Sequence, residues 1–223
     1  MLDLTREGPV FVLRFDHGEN RFDRPLLAEI TKVLDELEAA EAPAALVTTG
    51  TGKFYSNGLD VEYMTGLQPA DVSTYVRDVL KVMGRILTFP MTTVAAVNGH
   101  AFGAGAQIAV AHDYQVMRAD RGFYCMPEID MRAPLHPAMT AILQARLPVR
   151  TVHQVIATGK RFGGEEAAAL QIVDRAVPED EVVSTAVAMA AELAAKAHPA
   201  MHVLKRDMYQ QVIRALEEPV PGL

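Results

Sequence analysis

The chain has 223 residues, 50% hydrophobic and 22% charged, with 28 acidic against 21 basic side chains. Apolar residues spread along the whole length predict one well-buried core and argue against a long disordered segment. No Lys/Arg block stands out, and no apolar run approaches the roughly 20 residues of a membrane span, so neither nucleic acid nor the bilayer is an expected partner.

The opening "MLDLTREGPVFVLRF" carries acidic residues early and lacks the apolar core of a secretory signal. Cys125 is the one cysteine, which excludes an internal disulfide and fits a reducing compartment. Pro221, Gly222 and Leu223 lack the basic middle residue of a peroxisomal address, so the expected location is cytoplasmic.

In chain order, Val10–Phe15 alternates and reads as a strand, followed by a turn through "DHGEN". Residues 25–40 place Leu26, Leu27, Ile30, Val33, Leu34 and Leu37 on one helical face. A short buried strand over 45–49 leads into the loop "TGTGK", and 71–87 is again helical. A strand over Thr92–Val97 runs through a glycine turn into a helix over 103–111, and 114–117 reads as another strand. Beyond Pro137 the pattern is mostly helical, including 179–197 and 201–216. This βα alternation predicts an α/β fold with parallel strands and crossover helices. No repeat or linker marks a boundary, so residues 1–223 read as one domain, a core over about 1–195 and a helical tail over about 196–223.

Two segments carry the most chemistry. "GKFYSNGLDVEYM" and "NGHAFGAGAQ" each follow a strand and each offer a backbone N–H beside a glycine. Glycine lets another molecule approach the backbone, and a helix N-terminus presents unpaired N–H groups to an anion. Glycine-rich strand-to-helix turns also recur in α/β proteins simply to pack helix on sheet. Here "AHDYQVMRADRG", "MPEIDM" and "TGKRFGGEEAAALQIVDRAV" follow in order.

Together these segments resemble the crotonase superfamily, the enoyl-CoA hydratase/isomerase family, and within it the peroxisomal-type Δ3,Δ2-enoyl-CoA isomerases. The resemblance covers most of the chain. It implies a crotonase-type fold, with repeated ββα units forming a spiral core and a helical C-terminal region. Its substrate would be an acyl-CoA thioester, with coenzyme A entering as part of the substrate and no separate cofactor. A homotrimer or a hexamer built as a dimer of trimers would be the assembly.

Carried over residue by residue, the oxyanion donors would be the N–H groups of Leu59 and Ala104. Ala104 stands where many relatives have glycine, so the donor survives while the wall gains a methyl. Gly58 and Gly103 would shape the two turns against the substrate. Lys53 matches a lysine near the nucleotide end, although a solvated loop lysine reads equally well. Carbonyls around Ser56 and Asn57 would face the adenine amine. Two fixed N–H groups stabilise an enolate oxygen more than the starting carbonyl, and loss of one such donor costs about 2.7–4 kcal/mol of transition-state stabilisation.

Hydratases of the family use two glutamates. The first position is Gln107 here, an amide that takes up no proton at neutral pH, while Pro127-Glu128 matches the second. One carboxylate suffices to lift a proton from C2 and return it to C4, whereas hydration benefits from two. The implied activity is therefore double-bond isomerisation with Glu128 as base. A weak hydratase with Gln107 positioning water and a non-catalytic acyl-CoA binder are the alternatives.

The remaining candidates are weaker. Asp60 reads as a turn-stabilising carboxylate, Asp113 as a cap on the following strand, and Asp130 as solvent-facing. Cys125 reads as packed, and His100 and His136 as structural histidines near the pocket segments. The histidines show no metal-ligand spacing, so no metal site is expected. Tyr63, Met64, Leu67, Val76, Leu80 and Met126 are candidates for an acyl channel, although helical spacing suits most of them to the core. The segment "IDMRAPLHPAM" departs from the hydratase pattern, and the C-terminus stops earlier than in typical relatives.

Overall fold

The computed structural model describes residues 2–220; Pro221, Gly222 and Leu223, read above against a targeting signal, lie outside them. In chain order the elements are β1 (Leu2–Glu7), β2 (Val10–Phe15), α1 (Arg24–Glu38), β3 (Ala45–Gly50), β4 (Phe54–Ser56), α2 (Val61–Thr65) and α3 (Pro69–Leu87). Then come β5 (Thr92–Val97), β6 (His100–Phe102), α4 (Ala104–Ala111), β7 (Tyr114–Arg118), β8 (Tyr124–Cys125) and α5 (Glu128–Met131). The remainder comprises α6 (Pro137–Arg146), α7 (Val149–Thr158), α8 (Gly164–Ala169), β9 (Arg175–Val177), α9 (Val182–Leu193), α10 (Pro199–Met208) and α11 (Gln210–Leu216).

The strands form a six-stranded sheet in the order β1-β2-β3-β5-β7-β9 and a three-stranded sheet in the order β4-β6-β8. β1 pairs antiparallel with β2; every other pairing in both sheets is parallel. The chain alternates between sheets, one large-sheet strand and one short-sheet strand before each helix: β3-β4-α2, β5-β6-α4, β7-β8-α5. This is the expected ββα repeat.

Both faces of the large sheet are covered, so its inner strands read as nearly continuous apolar runs. Val10, Val12, Ala45, Val47, Val94, Ala96 and Val116 pack on Val182, Ala186 and Ala190 of α9. The alternate positions Leu13, Phe15, Leu46, Ala95 and Val97 pack with α1, α3 and α4 in the larger core. A period of two therefore sends each strand's side chains into two different cores.

Three expectations are corrected. The helix read over 201–216 is two helices that meet at Tyr209, whose hydroxyl accepts from Arg146 Nη1 at 2.9 Å. The helix read over 179–197 is α9 flanked by 3-10 turns at Glu179–Glu181 and Ala194–Lys196. Asp113 does not cap β7. Its carboxylate accepts from Thr93 N at the start of β5 at 2.9 Å and from Lys205 Nζ of α10 at 2.7 Å, because α10 folds back beside the sheet edge.

The C-terminal helices do not trail away. α11 packs on α6 and α3, and Gly84 leaves room for Leu216, whose Cδ1 would lie 2.6 Å from an added Cβ. Val220 reaches the site described next. No helix among the described residues is long and apolar enough to cross a membrane.

Candidate active site

Leu59, Ala104 and Glu128 each follow the C-terminal end of one strand of the short sheet: Leu59 after β4, Ala104 after β6 and Glu128 after β8. Parallel pairing of these strands brings the three ends to one edge, where they line a cavity of about 400 Å³.

The two turns meet through glycine. Gly58 has φ +83°, and a Cβ there would lie 2.7 Å from Phe102 O and 3.2 Å from Ala104 N. A Cβ on Gly105 would meet Ser56 Cβ at 2.8 Å. Any larger residue at either place forces the turns apart.

Each turn holds one N–H, that of Leu59 or of Ala104, with no acceptor among the described residues. Phe22 N donates to Gly58 O and Asp60 N donates to Phe22 O, so the parallel bridge between Phe22 and Leu59 turns the Leu59 N–H away from Phe22. Ala104 opens α4, where the first N–H groups of a helix lack intrahelical acceptors. Among the described residues, neither N–H has an acceptor.

Glu128 stands against the same turn, its Oε1 lying 3.3 Å from where a Cβ on Gly103 would be. Its Oε2 is buried without a partner among the described residues. Burial holds this carboxyl above the usual carboxylate range, partly offset by its own backbone N–H. A base with a raised pKa, beside two unpaired N–H donors at the end of a helix, is suited to moving a proton next to a developing oxyanion.

The other predicted residues fall in several places. Asn57, Gly58 and Gly103 line the cavity. Asn57 Nδ2 donates to Glu19 Oε2 at 2.8 Å, and the same oxygen accepts from Arg21 Nη2 at 2.6 Å. These bonds, the one from Arg21 first, hold the Glu19 carboxyl below its ordinary value.

Ser56 ends β4. It is fully buried with its carbonyl packed against Gly105, and its hydroxyl donates to Asn20 O at 2.7 Å and accepts from Gly58 N at 3.1 Å. The hydroxyl therefore braces the turn. Lys53 is exposed on the loop before β4, outside the cavity lining, and its carbonyl accepts from His100 N at 2.8 Å. Gln107 is fully buried on α4 and does not line the cavity; both of its amide atoms lack partners among the described residues.

Of the channel candidates, Met64 and Val76 line the cavity, while Leu80 and Met126 are core and Tyr63 and Leu67 pack against the core. Asp60 caps α2, accepting from Tyr63 N at 2.9 Å, and Asp130 is exposed. His100 packs among the rings of Phe54, Phe102 and Phe123. Burial pushes the Cys125 thiol up to about 11, away from reactivity. No group of three or more His, Cys, Asp or Glu that could hold a metal occurs among the described residues.

Sequence reasoning missed Arg21, Met131, Leu135, Met139 and Val220 as cavity lining; His136, read as a structural histidine near the pocket segments, lines the cavity. His136-Pro137 carried a signal, a polar N-cap before a proline at the first helical position, which locates a helix start but not a cavity wall.

The family model described as enoyl-CoA hydratase/isomerase matches residues 5–220. The chain is similar to enoyl-CoA delta isomerase 3 of Arabidopsis thaliana, with 31% identity covering 97% of this chain and 95% of the relative. Enoyl-CoA delta isomerase 2, peroxisomal, of the same plant is 34% identical over 88% of this chain and 86% of its own length. A carnitinyl-CoA dehydratase of Citrobacter koseri is 28% identical over 97% and 81%. In fold, the human mitochondrial delta3-delta2-enoyl-CoA isomerase superposes with a TM-score of 0.85 at 24% identity, covering 96% of this chain and 90% of that one. A match that spans nearly the whole chain, and relatives that match nearly end to end, place it in a family: the chain belongs to the enoyl-CoA hydratase/isomerase family of the crotonase superfamily.

Proposed function

We propose that the protein shifts the double bond of a 3-enoyl-CoA to the 2,3 position, using Glu128 as a single base and the Leu59 and Ala104 N–H groups as an oxyanion hole. The observation that carries this reading is the carboxylate count: among the described residues lining the cavity, Glu128 is the one acid. Gln107, where hydratases resembling this chain hold their other glutamate, is an amide outside the cavity.

In the first step the Glu128 carboxylate takes a proton from C2, the electron pair of that C–H bond forms a C1–C2 double bond, and the carbonyl π pair moves onto the thioester oxygen. The enolate oxygen accepts from Leu59 N–H and Ala104 N–H. In the second step the enolate oxygen re-forms the carbonyl, the C1–C2 pair of the enolate becomes the C2–C3 double bond, and the former 3,4 pair takes the proton from the Glu128 carboxyl at C4. Atoms and charge balance without water or a second acid. The delta isomerase names of the Arabidopsis relatives support this reading.

The test is to incubate purified protein with a 3-enoyl-CoA and with a 2-enoyl-CoA and to identify products by mass and retention. Isomerisation without mass gain, lost by about 10²- to 10⁴-fold in Glu128→Gln, is the expected result. Gain of one water from the 2-enoyl substrate overturns the single-base reading. An assembly of three or six chains is proposed on the family resemblance; exposed Val203, Leu204 and Met208 on α10 support a buried contact, and sedimentation reads the state.

A further inference from the structure

The two donors of the proposed oxyanion hole are aimed by different means. A trans peptide sets its N–H opposite its C=O, so whatever holds the carbonyl of one residue directs the N–H of the next. The Ala104 N–H is aimed by the helix it opens, because Gly103 O accepts from Gln107 N at 3.0 Å as a first rung of α4. Leu59 has no such helix, since α2 starts at Val61 with Asp60 as its N-cap. Its peptide plane is held through Gly58 O, which accepts from Phe22 N at 2.8 Å. Gly58, at φ +83°, has no Cβ to stop that plane from swinging.

What keeps the plane in place is the segment 19–22, which runs alongside 57–60. Backbone bonds tie the two at Asn57 N to Glu19 O, 3.0 Å, and at Asp60 N to Phe22 O, 3.4 Å. A further tie comes from side chains. Glu19 Oε2 accepts from Asn57 Nδ2 at 2.8 Å, and Arg21 grips the same oxygen with Nε at 2.9 Å and Nη2 at 2.6 Å. One carboxylate oxygen thus joins the residue before Gly58 to the segment that holds Gly58 O. An ionised acceptor makes such bonds stronger than a neutral one does. The Glu19 and Arg21 side chains are 44% and 40% exposed, and an ion pair so exposed adds little to global stability.

We infer that Glu19 is a positioning residue: its carboxylate, through Asn57, keeps the Gly58–Leu59 peptide plane aimed so that the Leu59 N–H meets the enolate oxygen. The inference rests on the reading of Leu59 as an oxyanion donor, and it holds for any reaction of this site that passes through a thioester enolate.

The test measures steady-state turnover of 3-enoyl-CoA in Glu19→Ala, Glu19→Gln, Asn57→Ala and the double variant Glu19→Ala/Asn57→Ala, beside urea unfolding of each. Glu19→Ala lowers kcat by about 10- to 100-fold while KM changes by less than about 3-fold, because the donor serves the enolate more than the starting carbonyl. Glu19→Gln keeps an acceptor oxygen and restores part of the rate. In the Asn57→Ala background the same Glu19 change costs little more, since two residues acting as one unit are not additive. A merely structural Glu19 would shift the urea midpoint and leave the kcat of folded protein alone. Undiminished kcat in folded Glu19→Ala, a loss confined to KM, or additive losses in the double variant overturns the inference. If the wild type hydrates 2-enoyl-CoA and leaves 3-enoyl-CoA unchanged, the isomerase reading fails alone; the comparison then moves to hydration, where the same kcat loss upholds the inference and its absence overturns it. Turnover of neither thioester overturns both.

Discussion

Gly105→Ala tests whether the contact between the two turns sets the site. Gly105 sits in the first turn of α4 with ordinary helical backbone, so the substitution adds no φ strain and acts through volume alone. The new Cβ would lie 2.8 Å from Ser56 Cβ and 2.9 Å from Ser56 C, with Ser56 O nearer still, whereas ordinary contact begins at 3.4 Å. These neighbours are backbone and the root of a side chain, so they cannot rotate away. The turn carrying Leu59 must therefore retreat from Ala104 by about 0.5–1 Å. A displacement of that size separates two donors meant to meet one oxygen, and a 1 Å misplacement costs on the order of 10²-fold. The expected loss in kcat/KM for 3-enoyl-CoA isomerisation is about 10- to 100-fold, with overpacking costing about 1–3 kcal/mol of stability. The assay is steady-state isomerisation beside denaturant unfolding. Gly66→Ala is the control, because its Cβ would sit at 3.4 Å from Tyr63 O. A folded Gly105→Ala protein with undiminished kcat/KM refutes the reasoning.

Two further perturbations concern charge. Burial raises the Glu128 carboxyl above its ordinary 4.5, so the folded state binds this proton more tightly than the unfolded chain does. Its contribution to stability is full below the unfolded pKa and is lost as pH rises through the folded one. Glu128→Gln is therefore expected to be more stable than wild type at pH 7, with a gap that closes below about pH 4.5; a gap that widens on acidification contradicts this. Isomerase kcat/KM in the wild type rises with pH through the same raised value, since the base is the carboxylate. Asp113→Asn removes the negative charge paired with buried Lys205 Nζ, which also donates to Phe89 O at 3.0 Å and Met91 O at 3.1 Å, and it costs about 3–5 kcal/mol in urea unfolding. The double variant with Lys205→Met recovers most of that loss, and failure to do so shows that the pair is not what is being measured.

The large sheet and its helices were legible because their periods are long enough to read. Val10–Phe15, Thr92–Val97 and the residues of α1 and α3 repeat over six positions or more. The short sheet was not legible: β4, β6 and β8 are two or three residues each, too brief for any alternation to register. β1 was missed because it is a mostly exposed edge strand whose polar residues resemble a loop. The turns after β4 and β6 could still be found, because close backbone approach demands glycine at Gly58 and Gly105. Glu128 was legible only through its motif. Arg21 and Val220 reach the cavity from distant parts of the chain, and the sequence near them shows nothing of it. The bonds of the Ser56 hydroxyl to Asn20 and Gly58 were not legible, because only the folded turn creates them.

The alternation of the chain between two sheets separates durability from chemistry. The six-stranded ladder, packed on both faces, supplies much of the buried mass, while each group proposed to react follows one strand of the three-stranded ladder. A residue exchanged at one short-strand end alters one chemical role, a donor or a base, without opening the large core. In such a scaffold, reaction type can diverge by single substitutions at three addresses while the six-stranded ladder is inherited unchanged.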